Sequence, residues 1–419
     1  FGSSLKGCSN TRTRESRRDS ETVAMGIKGL MKFLLDAAPK AVREVPSQES
    51  YTGRVLAIDA SMCLYQFLIM IRENRSGAYQ NLTNADGDVT SHIIGFLSRT
   101  TKLMEAGIKP VYVFDGKPPE MKMEELAQRR QKREEAEAQL KEAVESGDQE
   151  AILKQTKMTT KVTRQHNEQV KKLLQLMGLP VIEAPSEAEA TCAALCRDGK
   201  VYAAATEDAD CLTFGTRVLV RNLMAAESQK RQIYEVSLAV ALEQLNISMD
   251  QFIDFCILSG CDYCDTVKGV GPSTAMRLLV QHGSLEEVIK NLDSEKNPLP
   301  ENFRYQTARD FFRECEAVDT SKVSFEWKDP DIEGLTKFLV EENSFSKERV
   351  DRYIDRLRAA KSKTKQKPLD SFFGAPKVTV NDTDKYDPSK RKGQAKAKAG
   401  DAKRKAPGSS TGPPSKRAR

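Results

Sequence analysis

The stretch Ala184-Pro-Ser-Glu-Ala-Glu-Ala190 carries two acidic residues at what the pattern indicates is the start of a helix. Ser186 is a good N-cap residue, and Glu189 follows three positions later, as in a capping box. Glu187 and Glu189 are therefore expected to project from the first turn of this helix. For a single acid the ordinary explanation is sufficient, because carboxylates favour helix N-termini.

A second acidic stretch, Ala205-Thr-Glu-Asp-Ala-Asp-Cys211, lies about twenty residues further on. The preceding segment Val201–Ala205 is typical of a short buried strand, which places Asp208 and Asp210 at the carboxyl end of that strand. Both stretches then bring four carboxylates into one crevice. Like charges packed together are unfavourable unless cations neutralise them, so the sequence predicts a site for hard metal ions.

Two upstream segments repeat the design of a buried strand that ends in an acid: Arg54-Val-Leu-Ala-Ile-Asp59 and Lys109-Pro-Val-Tyr-Val-Phe-Asp115. A helix is expected from Ala60 to about Arg72. Strands that alternate with helices predict an α/β fold with a mostly parallel central sheet flanked by helices. Ligands of such sheets bind at the carboxyl ends of the strands, where Asp59 and Asp115 are expected to join the other acids.

The segment from Met121 to about Glu145 is rich in charge, poor in large apolar residues and helical in propensity. It could be a solvated helical insertion. However, Lys122 and Arg129 are seven residues apart, two turns along one helix face, and Arg133 extends the same basic stripe. With a second helix expected from about Gln149 to Met177, the pair is suited to a gate over the acidic site.

An apolar helix is expected from Gln251 to Ser259, followed by Gly260-Cys-Asp-Tyr-Cys264. The C-x-x-C spacing allows a thiolate metal site, but no second cysteine pair has metal-like spacing, and Asp262 is the better candidate ligand. The next segment, Thr266-Val-Lys-Gly-Val-Gly-Pro-Ser-Thr-Ala-Met-Arg277, predicts a tight turn between two helices. Its backbone N–H groups could bind a phosphate without sequence preference, although such turns are common for structural reasons.

Composition restricts the class of protein. The 419 residues can bury a large core, and the nine cysteines are irregularly spaced. Without an apparent signal peptide or an apolar run of membrane length, these features favour a reducing intracellular compartment and no membrane association. From Lys361 to Arg419 there are 17 Lys and Arg against 5 Asp, which gives that segment a net charge of +12 and leaves −6 for the remainder.

The segment after Lys361 has too few apolar residues to fold alone, and its basic clusters suit nuclear import, nucleic-acid binding or both. One island interrupts it, Gln366-Lys-Pro-Leu-Asp-Ser-Phe-Phe373, whose adjacent aromatic residues are typical of a peptide that orders on a partner. Packing of Phe372 and Phe373 on the body of the protein is the alternative. Trp327, the one tryptophan of the sequence, is expected to be a packing residue.

Six motifs together resemble the eukaryotic flap endonucleases, a family of structure-specific 5′ nucleases. They are Met25-Gly-Ile-Lys-Gly-Leu, Ala57-Ile-Asp-Ala-Ser, Val113-Phe-Asp-Gly-Lys-Pro-Pro, Ala184-Pro-Ser-Glu-Ala-Glu-Ala, Ala204-Ala-Thr-Glu-Asp-Ala-Asp and Gly269-Val-Gly-Pro. The resemblance runs from Met25 to about Phe373. It implies cleavage of 5′ flaps and 5′–3′ exonuclease activity by two-metal hydrolysis, in Okazaki-fragment maturation and long-patch base excision repair, with a helical arch and a helix-hairpin-helix.

Functional residues carry over from this resemblance. Two Mg²⁺ are implied in a site of seven acids, with Lys122, Arg129 and Asp210 as catalytic residues. The implied metal-site acids are Asp59, Asp115, Glu187, Glu189, Asp208, Asp210 and Asp262. The implied DNA-binding residues are Gly26, Tyr65, Arg72, Arg99, Glu187, Gly260, Asp262, Gly269 and Gly271, and those of the clamp-binding box are Gln366, Leu369, Phe372 and Phe373.

The resemblance also implies partners, a location and a division of the chain. The partners are branched DNA with a 5′ flap and a sliding clamp, proliferating cell nuclear antigen, and the protein is expected to be a monomer. The implied location is the nucleus, with its nucleolus and nucleoplasm, and also the mitochondrion. The expected regions are an unstructured extension (1–24), an N-terminal nuclease region (25–130), an arch and following helix (117–177), an internal nuclease region with the hairpin (178–282), a C-terminal helical part (283–360) and an unstructured tail (361–419).

Three departures from the family pattern stand out: Cys261 replaces a common serine, Ser273-Thr274 replace a more basic pair, and 24 residues precede Met25. In the family the processed N-terminus begins at the glycine that matches Gly26, close to the DNA, so a retained extension would affect substrate placement. Two other functions compete with the flap nuclease. One is a clamp-tethered DNA-binding adaptor without catalysis, which the presence of all seven acids disfavours; the other is a 5′ exonuclease of the same superfamily.

Overall fold

A computed structural model describes residues 26–27, 29–70, 89–226, 229–363 and 378–389. These residues form one seven-stranded sheet with helices on both faces. The strands are β1 (Val42–Val45), β2 (Val55–Asp59), β3 (Lys109–Phe114), β4 (Val181–Glu183), β5 (Ala203–Ala205), β6 (Val218–Arg221) and β7 (Ile233–Ser237). The helices are α1 (Leu30–Ala37), α2 (Ala60–Met70), α3 (Ser91–Glu105), α4 (Met123–Ser146), α5 (Gln149–Met158), α6 (Arg164–Leu176), α7 (Ala188–Arg197), α8 (Asp210–Thr213), α9 (Leu238–Leu245), α10 (Met249–Ser259), α11 (Pro272–His282), α12 (Leu285–Lys290), α13 (Tyr305–Glu314), α14 (Ile332–Thr336) and α15 (Lys347–Lys363).

The strand order is β1-β7-β6-β5-β2-β3-β4. β2 lies between β3 and β5 and is parallel to both, with Ile58 opposite Tyr112 on one side and Ala205 on the other. The β3–β4 and β5–β6 pairs are also parallel, whereas β7 runs antiparallel to β6 and β1. The prediction of a mostly parallel α/β sheet is confirmed, and the carboxyl ends of β2, β3 and β5 meet at one edge.

The core has two layers, one on each face of the sheet. On one face, Ala57 of β2 belongs to the core layer that contains residues of α1, α7, α9, α10 and α11. On the other face, its neighbours Leu56 and Ile58 belong to the layer that contains residues of α2, α3, α6 and α15. Because both faces are covered, β2 is a continuous apolar run rather than an alternating one. Such a buried strand is a rigid support for the acid at its end.

Several predicted boundaries were wrong in detail. Glu187, not Ser186, is the N-cap of α7, and its own side chain makes no capping hydrogen bond; Glu189 is the second helical residue. The expected helix from Gln149 to Met177 is two helices, because the hydroxyl of Thr163 accepts from the His166 N–H and starts α6 anew. The strand expected at Val201–Ala205 is limited to the three alanines of β5.

The C-terminal part of the body combines helices with an extended stretch that carries Trp327. The indole Nε1 of Trp327 donates to the carbonyl oxygen of Pro110 in β3 at 3.1 Å, and its ring packs edge-on against Phe325. The tryptophan is therefore a packing residue, as expected. None of the helices formed by the described residues combines the length and the apolar character that a bilayer crossing requires.

The segment Val378–Ser389 differs from the expected unstructured tail. It contains a 3₁₀ turn at Asp382–Asp384, and the backbone N–H of Tyr386 donates to the carbonyl oxygen of Gln244 in α9 at 2.7 Å. This part of the region 361–419 is thus packed on the body.

Candidate metal centre and DNA-binding surface

Two acids stand at the carboxyl ends of adjacent parallel strands. Asp59 ends β2 and is 1% exposed; its carboxylate accepts from the Met62 N–H at 2.9 Å and from the Thr206 hydroxyl at 3.0 Å. Asp115 follows β3 directly, is exposed, and accepts from the Ala188 N–H at the start of α7 at 2.9 Å. Both acids thus lie at the carboxyl ends of their strands, as the sequence predicted, one buried and the other accessible.

The start of α7 adds two further acids to this edge. Carboxylate oxygens of Asp115, Glu187 and Glu189 lie within 4.8 Å of one another, a spacing at which three oxygens can bind one cation. Oε2 of Glu189 is buried and has no hydrogen-bond partner in the described part of the chain. A bound cation would satisfy such a buried carboxylate oxygen, so the residues present fit a divalent metal ion with oxygen ligands.

The segment after β5 completes the buried part of the cluster. The Thr206 hydroxyl accepts from the Asp208 N–H at 3.1 Å, and Asp208 in turn accepts from the Asp210 N–H at 2.9 Å. Asp210 accepts from the backbone N–H of Ile27 at 2.7 Å, a contact between residues 183 positions apart. The chain near Met25 therefore reaches into the acidic site and helps to hold Asp210.

Gly26 fits this position because it has no side chain. A Cβ atom built there would lie 2.0 Å from Oδ1 of Asp208 and 2.6 Å from Oδ1 of Asp210, and the residue has a φ of +73°. Both the contact with the carboxylates and the backbone conformation exclude larger residues. Gly26 thus lies against the acids.

Burial and mutual repulsion disfavour the charged form of these carboxylates. Burial, with Asp115 as a second cause, raises the pKa of Asp59 to about 7. Burial followed by neighbouring acids likewise raises the pKa of Glu189 and that of Asp210 far above the ordinary range. The fold therefore raises the free energy of the charged form of several carboxylates, and a bound cation would lower it.

The raised pKa of Asp59 gives a testable dependence of stability on pH. Between the ordinary value of 3.8 and about 7, folded Asp59 holds a proton that the unfolded chain has released. The free energy of unfolding contributed by this group therefore falls as pH rises through that window. We expect the melting temperature of metal-free protein to decline more steeply from pH 5 to pH 7.5 than that of Asp59→Asn. Equal slopes in thermal melts of the two proteins would contradict the assignment.

Two members of the predicted basic stripe, Lys122 and Arg129, contact the acids, although Lys122 lies in the turn before the charged helix rather than on its face. Lys122, in a 3₁₀ turn just before α4, donates through Nζ to Oε2 of Glu187 at 2.6 Å. Burial alone would lower the pKa of Lys122, but the charges of Glu187 and Glu189 raise it above its usual value. The lysine is thus firmly cationic. Its ammonium also lies 5.7 Å from the ring centroid of Tyr263.

Arg129 and Asp262 connect the charged helix with the segment after α10. Nη2 of Arg129 donates to Oδ2 of Asp262 at 2.7 Å, and its Nε pairs with Glu125 one turn earlier on α4. Tyr65 of α2 is close enough that the charges of Arg129 and Arg133 act against the burial that raises its pKa. Lys122, Arg129, Asp262 and Tyr65 thus converge at the base of the α4–α5 pair.

The Gly-rich turn lies between α10 and α11, as predicted. Gly260 ends α10 with a φ of +99°, and a Cβ there would be 2.9 Å from the Thr266 hydroxyl. Gly269 also has a positive φ, +78°, whereas Gly271 is the extended residue before α11 and has free space around its Cα. Lys268 and Gly269 of the turn are exposed, and Pro272 is the first residue of α11.

The C-x-x-C pair forms an isolated antiparallel bridge between Cys261 and Cys264, with both thiols free. In the described part of the chain, the cluster with metal-like spacing consists of Asp115, Glu187 and Glu189, and it includes neither these cysteines nor Asp262. Arg99 is a partly buried residue of α3. Arg72 and the four residues of the predicted clamp-binding box lie outside the described residues.

Sequence reasoning missed the polar groups that orient the acids. Thr206 bridges Asp59 and Asp208, and the Ser61 hydroxyl accepts from the Asp115 N–H at 3.0 Å. Both residues lie within the quoted motifs, but the sequence does not indicate which way a hydroxyl next to an acid points. The contact from Ile27 to Asp210 joins distant parts of the chain and has no local signature at all.

Comparisons with known proteins agree with this geometry. The XPG N-terminal domain family matches residues 25–136, and the XPG I-region family matches residues 178–262. The two matches contain all seven acids as well as Lys122 and Arg129. Both family matches end before the Gly-rich turn. The position of that turn between α10 and α11 therefore rests on the structure and on the similarities that extend over most of the chain.

Three similarities extend over most of the chain. It is 54% identical to flap endonuclease 1-A of Sorghum bicolor, over 83% of this chain and 90% of that protein. Among solved structures, it is similar to the flap endonuclease-1 of Methanococcus jannaschii, with a TM-score of 0.59, 36% identity, and coverage of 77% and 96% of the two chains. It is also similar to the catalytic core of Rad2 in complex with a DNA substrate, with a TM-score of 0.60, 26% identity, and coverage of 78% and 99%.

Proposed function

Because this chain belongs to the flap endonuclease family, we propose that its seven clustered acids hold two Mg²⁺ ions for the hydrolysis of DNA at the base of 5′ flaps. The protein is a structure-specific flap nuclease that acts on DNA phosphodiester bonds. The observation that carries the proposal is the meeting of buried carboxylates, one with an unpartnered oxygen, at the edge reached by Lys122 and Arg129.

Each side chain has a role that follows from its position. When bound, divalent ions supply a nucleophilic water at neutral pH and stabilise charge on the leaving oxygen. The acids bind those ions, and the buried Asp208–Asp210 pair is kept in place by Thr206 and the Ile27 N–H. Lys122 and Arg129 neutralise the acids in this structure. With substrate present, we assign them as donors to the scissile phosphate, where they stabilise developing negative charge.

The proposed DNA-binding residues belong to three groups. We assign Tyr65, which lies within electrostatic range of Arg129, to stacking on a base of the substrate. Gly260, Gly269 and Gly271 belong to the turn before α11, whose backbone N–H groups suit the sugar–phosphate of duplex DNA. Arg72 and Arg99 are proposed as further phosphate contacts, and Gly26 as a residue near the DNA because it lies against the acids.

A 5′ exonuclease of the same superfamily is the second candidate activity. The two are separated by comparing initial cleavage rates on a 5′ flap, a nick and a bubble of the same sequence in Mg²⁺. We expect the flap to be cut fastest, close to its base. Equal rates on the nick and the flap would favour the exonuclease. Binding of all three without cleavage would favour the non-catalytic adaptor.

We further propose a nuclear role in replication and repair for a monomeric enzyme tethered to a sliding clamp. The basic clusters after Lys361 suit nuclear import, and Gln366, Leu369, Phe372 and Phe373 have the spacing of a short peptide that presents one apolar face. This peptide is too short to be stable alone, so it is expected to order on the clamp.

The clamp proposal predicts the behaviour of one double variant. Phe372→Ala with Phe373→Ala should abolish binding to proliferating cell nuclear antigen and the stimulation of cleavage by it. Unstimulated cleavage and the melting temperature should not change, because both rings contact the partner rather than the core. Calorimetric titration and thermal melts measure these effects. A lower melting temperature with intact clamp binding would show that the rings belong to the core.

A further inference from the structure

A cleft of about 540 Å³ opens between the turn after α8, the first turns of α9 and α10, and the end of α13. This volume lies within the range of about 300–1,000 Å³ that is usual for ligand pockets. The described residues that line the cleft include none of the seven acids, neither Lys122 nor Arg129, and none of the glycines of the Gly-rich turn. The metal centre and the proposed duplex-binding turn therefore do not account for this cavity.

The floor of the cleft is apolar. Its largest apolar side chains belong to one core layer: Phe214, Leu238, Leu242, Met249, Ile253 and Phe312. Leu242 and Met249 are only half-buried, so they keep apolar surface in contact with water. A ligand that covers this surface gains about 25 cal/mol for each Å² removed from water.

The rim of the cleft is positively charged, because three arginines line it against one aspartate, which gives a net charge of +2. Nη2 of Arg313 donates to Oδ1 of that aspartate, Asp250, at 2.7 Å. Nε of Arg197 lies 3.7 Å from Oδ1 of the neighbouring Asp198, which is a long ion pair between exposed side chains. Arg217 is exposed and forms no ion pair with the residues that the structure describes. It is therefore the rim cation best able to take a new anionic partner.

The N-terminus of α9 adds to this positive potential. The carbonyl oxygen of Arg217 accepts from the Leu238 N–H at 3.1 Å, which places the arginine directly at the start of α9. Ser237 is the N-cap of that helix, but its side chain makes no capping hydrogen bond, and both Ser237 and Ala239 line the cleft. The first N–H groups of a helix lack intrahelical partners and favour a nearby anion. A carboxylate paired with Arg217 thus lies close to the start of α9.

We propose that this cleft is a docking site for a short segment of a partner protein in which Asp or Glu flanks a large apolar side chain. The apolar side chain occupies the floor, and the carboxylates pair with Arg217 and the neighbouring arginines. The chain before Lys361 carries a net charge of −6, so the rim is a local exception that selects an acidic segment. A DNA duplex presents phosphates to the rim but no apolar side chain to cover the floor.

A segment docked in the cleft lies near the metal centre without covering it. The short helix α8 starts with Asp210 and ends at Thr213, and Thr213 and Phe214 line the cleft. Four residues of α-helix rise about 6 Å, so one short helix separates the cleft from that acid. Because the acids stay open to DNA, docking brings a partner to the nuclease rather than inhibiting cleavage.

The test uses variants that change the cleft but not the core. Ala239→Trp fills the cleft from an exposed position on α9, and Arg217→Glu reverses an exposed charge at the rim. The matched controls are Ala359→Trp on α15 and Arg231→Glu before β7, at exposed positions outside the cleft. Surface substitutions usually change stability by less than about 0.5 kcal/mol, so thermal melts of all four variants should match that of the unmodified protein. The two cleft variants are independent, and either one tests the site if the other is destabilised.

Short random peptides displayed on phage supply the probe. They are selected on the full-length protein and depleted on Ala239→Trp, which removes peptides that bind elsewhere. We expect the remaining peptides to combine a large apolar residue with Asp or Glu within a few positions. If no peptide survives depletion, or if the survivors lack acids, the proposal is overturned.

A surviving peptide, synthesised with a fluorophore, then gives the affinity by anisotropy. Binding should be at least about tenfold weaker for Ala239→Trp and for Arg217→Glu, and unchanged for the two controls. It should also weaken as the salt concentration rises, because exposed charge pairs are screened. Equal affinity for Arg217→Glu and the unmodified protein would show that the rim does not recognise the acids, and the proposal would be wrong.

Flap DNA separates this site from the DNA-binding surface. The unmodified protein, Ala239→Trp and Arg217→Glu should bind flap DNA equally in Ca²⁺ and cleave it equally in Mg²⁺. Saturating flap DNA in Ca²⁺ should not displace the fluorescent peptide. Displacement of the peptide, or loss of DNA affinity in Arg217→Glu, would assign the arginines to nucleic acid and contradict a peptide site.

Discussion

Asp210→Ala should abolish flap cleavage, with a loss of about 10⁴-fold or more in the single-turnover rate in Mg²⁺, typical of removing a member of a catalytic unit. The carboxylate is buried among like charges at the edge of the sheet, and its partner in the protein is a backbone N–H rather than a phosphate-binding group. Flap affinity in Ca²⁺ should therefore change by less than about threefold, or under 1 kcal/mol. Stopped-flow cleavage and anisotropy measure the two quantities.

Two controls separate loss of a metal ligand from loss of the fold. Asp210→Asn keeps an oxygen that can accept from the Ile27 N–H, and it should be nearly as inactive because its neutral amide is a poor ligand for Mg²⁺. Asp250→Ala removes an exposed acid paired with Arg313 and should cleave normally. Normal turnover by Asp210→Ala at millimolar Mg²⁺ would exclude the assigned metal site.

Lys122→Ala and Arg129→Ala should each lower the single-turnover rate by about two to three orders of magnitude, as for loss of a positioned electrostatic donor. Both cations reach the acidic cluster from the same helical region, and both are paired with acids in this structure. Affinity for the flap should fall much less, because most of the binding energy comes from phosphates away from the cleaved bond.

Neighbouring basic residues on the same helix provide matched controls. Arg130 follows Arg129 directly, but its side chain is 78% exposed and pairs with Glu134 on the solvent face. Lys132 is likewise exposed on α4. Arg130→Ala and Lys132→Ala should cleave at close to the normal rate. A large loss of binding by Lys122→Ala or Arg129→Ala, with an unchanged rate at saturation, would instead identify them as steering charges.

The fold and the position of the acids could be predicted because both follow from local patterns. Val55–Ile58 is apolar without alternation, which is typical of a strand covered on both faces, and an acid at its end must lie at the ligand edge of a parallel sheet. The spacing of Lys122 and Arg129 predicted a common helix face, whereas Lys122 lies in the 3₁₀ turn that precedes α4. The structure then brought each to a separate acid, which spacing alone does not specify.

What could not be predicted depends on contacts between distant residues. The Ile27 N–H bonded to Asp210 and the docking of Tyr386 on Gln244 involve ordinary residues whose roles arise only from the packed core. The polar, charged composition after Lys361 indicates an unfolded tail because it lacks apolar residues. For the short segment Val378–Ser389, contact partners come instead from the body: Phe33 packs against Tyr386, and Gln244 donates to the carbonyl oxygen of Asp384. The break before α6 was missed because Thr163 caps a helix that the pattern had joined to the previous one.

The most direct test of the acidic site is the location of its metal ions. Crystals of the protein with uncleavable flap DNA, grown with Mn²⁺ in place of Mg²⁺, should show two separate anomalous peaks in the cleft between Asp59, Asp115, Glu187 and Asp210. Both peaks should disappear, or be reduced to one, in Asp210→Ala. A map of the unmodified complex with no peak among these carboxylates, or with Lys122 and Arg129 still paired to the acids and the ions bound elsewhere, would contradict the account.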